Sequence, residues 1–206
     1  MPRAYSPEEL EHIRARLMEI GREWFPRYGL KKTTVGELAT RAGIGKGTFY
    51  LLFDSKEALF LAVQEQVEAE FKAALVAEVE ALRATPRAML RRYFELHFQG
   101  LEEHPFLRLL AEADTLEALL RAVDPAALSA HRASDRAFFL GLLSRWQGEG
   151  VLRDDVDPDD VFAASTALFA LTLQRPLIGD DVFERASRLL ADSLAERLAA
   201  PPRESR

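Results

Sequence analysis

The residues whose types and spacing can do chemistry lie close together, between Thr34 and Lys56. A short helix starting near Lys46 would turn Lys46, Gly47, Thr48, Tyr50 and Leu51 outward and Phe49 and Phe53 inward. An ammonium at Lys46 can pair with a phosphate or a guanine edge. The Thr48 hydroxyl can bond to phosphate or to a base. Tyr50 can reach a phosphate with its hydroxyl or lay its ring on a thymine methyl. Gly47 lets backbone approach a groove. Ser55-Lys56 opens a long helix whose free N–H groups and dipole suit a phosphate. This is the chemistry of reading a duplex, not of breaking bonds.

Bond-making chemistry has no corresponding motif. The sequence holds no GxSxG elbow, HExxH, P-loop or Rossmann glycine set. The absence of cysteine excludes disulfides, thiolate zinc sites, iron–sulfur clusters and cysteine nucleophiles. His97 and His104 are seven apart, nearly on one helical face, with Glu103 beside His104, and His131 is remote. That spacing is not a recognised ligand pattern, so solvated or cap-forming histidines are expected, with no metal and no cofactor.

The elements that must position these groups are helical. Leu and Ala supply 63 of 206 residues against 22 Val, Ile and Thr, a helix-forming vocabulary. Thr34-Val35-Gly36-Glu37 is a capping box in which Thr34 accepts from the backbone at Glu37 and Glu37 reaches back. Thr34 is therefore a cap first, and phosphate binding is an addition. A helix over 35–42 buries Leu38 and Ala39, Gly43 ends it with a left-handed residue, and Ile44 inserts at the turn. A second helix runs over 46–53. Two short helices joined by a three-residue turn containing glycine form a helix-turn-helix pattern.

Charge is distributed accordingly. The whole chain carries a net charge of −6. Residues 22–56 hold seven cations and three acids, and the rest is strongly acidic. A basic patch on an acidic protein is the electrostatic footprint of a duplex reader.

The stretch 33–60, TTVGELATRAGIGKGTFYLLFDSKEALF, resembles the DNA-binding segment of TetR/AcrR-family repressors. The run Ala42-Gly43-Ile44-x-Lys46-Gly47-Thr48-Phe49-Tyr50-x-x-Phe53-x-Ser55-Lys56-Glu57-x-Leu59 fits throughout. The resemblance covers roughly residues 7–60. It implies DNA contacts from Thr34, Lys46, Thr48, Tyr50 and Lys56, and Gly47 joins them as the point of close backbone approach. Gly45 replaces a frequent serine cap, a small loss. Leu52 stands where a phosphate-binding histidine is common, which puts that contact in doubt, and Gly36 offers no base contact.

Proline and glycine punctuate the remainder. Pro7, Pro86, Pro105, Pro125 and Pro158 stand at helix starts. The expected fold is all-α with about nine helices: 7–28 stopped by Gly29, 35–42, 46–53, 55–83, 86–103, 105–121, 125–148, 158–176 and 180–199. The expected domains are a helix-turn-helix DNA-binding domain over 1–54, a helical effector-binding and dimerisation domain over 55–200, and a disordered tail over 201–206.

Helices 158–176 and 180–199 are unusually apolar. The resemblance implies that they pair with their copies as a four-helix homodimer interface, which would set two recognition helices in successive major grooves about 34 Å apart. The helices between reader and dimer interface hold Tyr93, Phe94, Phe98, Phe106, Phe138, Phe139 and Trp146. The resemblance implies a small-molecule effector chamber there, working through the long helix 55–83. Phe94, Phe98, Phe138 and Trp146 are its nominated walls, suited to an apolar or aromatic effector.

The N-terminus has no apolar h-region. The longest nearly apolar stretch, 161–173, is shorter than the about 20 residues a membrane span needs. A cytoplasmic protein is expected. The reading is a ligand-responsive transcriptional repressor, binding a palindromic operator as a homodimer. The alternatives are an activator or corepressor-dependent regulator of the same fold, or a non-DNA small-molecule-binding helical protein.

Overall fold

A computed structural model describes residues 5–122 and 124–201. Of the expected tail, only Pro201 falls within them; 202–206 lie outside the described residues. These residues form eleven α-helices and one 3-10 turn. Their one β-type pairing is an isolated antiparallel bridge between Leu152 and Ala199. None of the helices is long and apolar enough to cross a membrane.

The helices are α1 (Pro7–Lys32), α2 (Val35–Arg41), α3 (Lys46–Leu52), α4 (Lys56–Glu80), α5 (Pro86–Glu103), α6 (Pro105–Arg108), α7 (Ala113–Ala122), α8 (Pro125–Gly148), α9 (Pro158–Leu173), α10 (Arg175–Ile178) and α11 (Asp180–Leu198). They group into two compact units, Met1–Glu70 with His104–Pro125, and Phe71–Glu103 with Ala126–Arg206. Helix α4 carries the chain from one to the other.

In the first unit, Ser6 and Glu9 close the capping box that starts α1. Gly29 breaks α1 as expected, with a φ of 74°, and a short turn continues to Lys32. Phe25, Phe60 and Phe106 form the aromatic centre, with Phe60 stacked on Phe106 at 4.6 Å. Phe106 therefore belongs to the core of this unit. The bidentate pair of Arg22 with Glu70, at 2.8 and 2.6 Å, joins α1 to α4.

The expected single helix 105–121 is not continuous. It is α6, a 3-10 turn at Leu109–Ala111, and α7, with Glu112 extended between them. Burial of Phe106, Leu107 and Leu109 holds the break open. Helix 158–176 also ends early: α9 stops at Leu173, and Pro176 sits in the first turn of the separate α10, because proline cannot extend the preceding ladder.

In the second unit, α5 packs against α11 and α9. Met89, Leu90, Tyr93, Phe94, Leu143, Trp146, Leu152 and Val161 are almost fully buried at its centre. The polar groups there find partners. The Ser165 hydroxyl donates to the Val161 carbonyl at 2.9 Å and accepts from the Tyr93 hydroxyl at 3.1 Å. The Trp146 indole donates to Glu80 at 2.9 Å.

Candidate nucleic-acid interface

The short helices are fixed by local bonds before any packing is considered. The Thr34 hydroxyl accepts from the Glu37 N–H at 3.3 Å and donates to the Glu37 carboxylate at 2.7 Å. That carboxylate also accepts from the Thr34 N–H at 2.8 Å. These bonds, the side-chain one foremost, hold the Glu37 carboxyl below its ordinary value. Helix α2 ends at Ala42, and Gly43 takes a φ of 67°, a conformation costly for a residue with a Cβ. The Ile44 N–H then bonds back to the Ala39 carbonyl at 3.0 Å. Gly45 stands at the N-cap of α3 with no side-chain cap bond.

Helix α3 is held from behind by Phe49 and Phe53, both buried. Arg14 of α1 supports its far end. Its guanidinium lies 4.6 Å above the Phe53 ring and donates to the Leu52 carbonyl at 3.3 Å. A cation at a helix C-terminus also opposes the negative end of the dipole. Leu52 is thus tied through its backbone to α1. Arg41 of α2 stacks over Trp24 at 3.6 Å.

The outer face of α3 is open. Lys46, Gly47 and Tyr50 are exposed, and Thr48 is half-buried. Tyr50 meets Phe49 edge-on at 5.7 Å with half its surface in solvent. It is neither core nor fully detached. Leu51 is 71% exposed. A Cβ at Gly47 would meet nothing within 4 Å. The stem of Lys46 runs beside Gly36, whose missing side chain leaves it room.

Lys56 is placed differently from Lys46. Its ammonium donates to the carbonyls of Leu30 at 2.7 Å, Thr33 at 2.8 Å and Lys31 at 3.2 Å. All three N–H donors are engaged, and they tie the start of α4 to the end of α1. The Ser55 hydroxyl caps α4 by accepting from the Ala58 N–H at 3.0 Å. Thr34, Lys46, Tyr50, Ser55 and Lys56 border one concavity of about 410 Å³. The six residues nominated for DNA thus lie on two short helices and the start of a third. The support from Arg14, the stacking of Arg41 on Trp24 and the Gly36–Lys46 fit were not anticipated. An arginine placed some forty residues before its partner leaves no local signal.

The nominated effector residues lie in the second unit. Phe94, Phe98 and Trp146 are buried in its packed core. Phe138 is 39% exposed, with the Lys72 ammonium 5.5 Å from its ring. His97, expected to be solvated or a cap, is neither. It is 6% exposed, its Nδ1 is 2.8 Å from the Tyr93 carbonyl, and burial lowers its pKa to about 4. His104 does stand at the N-cap of α6, without a side-chain cap bond.

Residues 17–63 match the family model described as bacterial regulatory proteins, tetR family. The chain is 31% identical over 113 residues to the HTH-type transcriptional regulator EthR of Mycolicibacterium smegmatis, covering 55% of this chain and 46% of that protein. It is 26% identical over 191 residues to the HTH-type transcriptional repressor KstR2 of Rhodococcus jostii, covering 88% of this chain and 91% of that one. The chain spans less than half the length of the first two curated relatives it matches. Its fold is similar to that of reduced NemR from E. coli, with a TM-score of 0.62 at 20% identity over 92% of this chain and 100% of the other.

Proposed function

We propose that this chain, a member of the TetR family of bacterial transcriptional regulators, is a ligand-responsive repressor. It binds a palindromic operator as a homodimer and leaves it when a small apolar or aromatic effector binds. The single observation that carries this is the face of α3. Lys46, Gly47 and Tyr50 stand exposed, with Thr48 half-buried beside them, on a helix secured behind by Phe49, Phe53 and Arg14.

In this reading residues 1–54 are the reader. Lys46, Thr48 and Tyr50 contact bases and phosphates, Gly47 allows close approach, and the Thr34 end of α2 meets the backbone. Lys56 contributes positive charge from an ammonium already anchored to carbonyls, beside the N-terminus of α4. Residues 55–200 bind the effector and dimerise. Leu171 on α9 and Val182 and Leu189 on α11 are exposed apolar residues, which suits pairing of these helices with their copies. The effector must bind the two states of the regulator with different affinity, since equal affinity shifts nothing.

Selection from random duplex DNA at near-physiological salt tests the reading. A recovered palindrome supports the reader and the dimer together. No enrichment by a folded dimeric protein, with or without added cell-extract metabolites, overturns the DNA-binding role.

A further inference from the structure

We propose that His97 accepts a hydrogen bond from the effector, and that the effector is therefore an apolar or aromatic molecule carrying a hydroxyl or N–H donor. This rests on the reading of the second unit as effector-binding and deepens it.

The argument begins with the tautomer. His97 Nδ1 lies 2.8 Å from the backbone carbonyl of Tyr93, one turn earlier on α5. A carbonyl oxygen cannot donate, so Nδ1 carries the proton. Burial keeps the ring neutral, with its pKa lowered to about 4. Nε2, at the far edge of the ring from the α5 backbone, is then a bare lone pair.

That lone pair has no hydrogen bond among the described residues, although the side chain is only 6% exposed, and it is not fully enclosed. Two neighbouring polar groups of the same core do have partners. Tyr93 bonds to Ser165 and Trp146 to Glu80. Buried polar groups in native proteins nearly always have partners. A neutral acceptor left open beside these paired groups takes its partner from outside the chain.

The surroundings define the rest of the ligand. The Phe139 ring lies 5.7 Å from the imidazole, and Phe138 and Phe162 continue from it at 5.1 and 6.1 Å. Phe139 and Phe162 are half-buried and Phe138 is exposed, so this wall is not closed. An aromatic or aliphatic body lies against the rings and a donor reaches Nε2. An ether, ketone or thioester offers no donor. A carboxylate would have to bring a proton onto a desolvated imidazole, against its lowered basicity.

The test titrates phenol, 2-naphthol and 1-octanol, each beside its methyl ether, into the full-length protein and into His97→Phe. Calorimetry gives affinity, and nitrogen resonances of the imidazole report on Nε2. The expected result is a preference of about tenfold for at least one alcohol over its ether, with the Nε2 resonance moving on binding. In His97→Phe the preference disappears while the ether still binds. Ethers binding as tightly as their alcohols, a preference surviving in His97→Phe, or no binding by any probe overturns the proposal. Operator release by the small-molecule fraction of a cell extract is measured alongside. Release without an alcohol preference overturns the role of His97 alone; no release and no binding overturns the effector reading with it.

Discussion

A Cβ atom on Gly36 would lie 3.1 Å from Cε of Lys46, so the lysine stem occupies the space beside the first turn of α2 that a side chain would fill. This glycine is not at a left-handed position and does not end a helix. It sets the path of the one lysine on the outer face of α3.

Gly36→Ala should therefore leave the fold intact and displace Lys46. Alanine favours the helix, so thermal stability should hold or rise slightly. Operator affinity should fall by about fivefold, or ~1 kcal/mol. Fluorescence anisotropy with the selected operator measures it. Unchanged affinity would mean that Lys46 reaches DNA by another path.

Lys46→Ala separates the roles open to that ammonium. If it neutralises a phosphate, binding weakens on all sequences, and the slope of log affinity against log salt falls by about one. If it reads a guanine, the loss is about 1–3 kcal/mol on the operator and specificity relaxes at one base pair. Anisotropy at several salt concentrations, on the operator and on single-site variants, distinguishes them.

Much of this arrangement was legible because it rests on local chemistry. The Thr34–Glu37 box, the left-handed Gly43 and the prolines at helix starts act within four residues, and each stands where the sequence places it. The break between α6 and α7 has no such marker. Residues Phe106–Ala122 contain neither proline nor glycine, and the break follows from which side chains the first unit buries. The expected helix 158–176 ran through Pro176, and the α9 boundary three residues before it follows from that proline. His97 was misread because helical spacing places it on a face without revealing which face the core takes.

Lys56→Met keeps the length of the stem and removes the ammonium. The carbonyls of Leu30, Lys31 and Thr33 lose their shared donor. Hydrogen bonds from a charged group are worth about 1.5–3 kcal/mol when lost, and the site is partly open to water, which reduces the loss. A destabilisation of ~1–2 kcal/mol in urea is expected, with weaker operator binding. If Lys56 served only as a phosphate contact, affinity would fall while stability stayed unchanged.

His97 also predicts a pH dependence. In the unfolded chain it titrates near 6.5, and in the folded chain only near 4. As pH falls through 6.5 the unfolded state takes up a proton that the folded state refuses, so stability declines between pH 6.5 and 4 and is complete above 6.5. The contribution is on the order of 3 kcal/mol across that window. His97→Phe should flatten this part of the stability–pH curve, measured by urea unfolding at half-unit steps. An unchanged curve would mean that the ring is protonated inside the fold.

Leu189 tests the proposed dimer interface. It sits on α11, 68% exposed, on a helix whose Phe183, Ala191, Ala195 and Leu198 face the core of the second unit. It lies outside the buried core of that unit, so Leu189→Glu should leave the protomer about as stable as before. Across a symmetric interface the same substitution meets its own copy, and two carboxylates are brought together in an apolar contact. Sedimentation should show a dimer becoming a monomer. Operator affinity should drop by about a hundredfold or more, because two half-sites are no longer bound by one linked reader. A variant that stays dimeric and binds the operator normally would place the interface away from this face of α11.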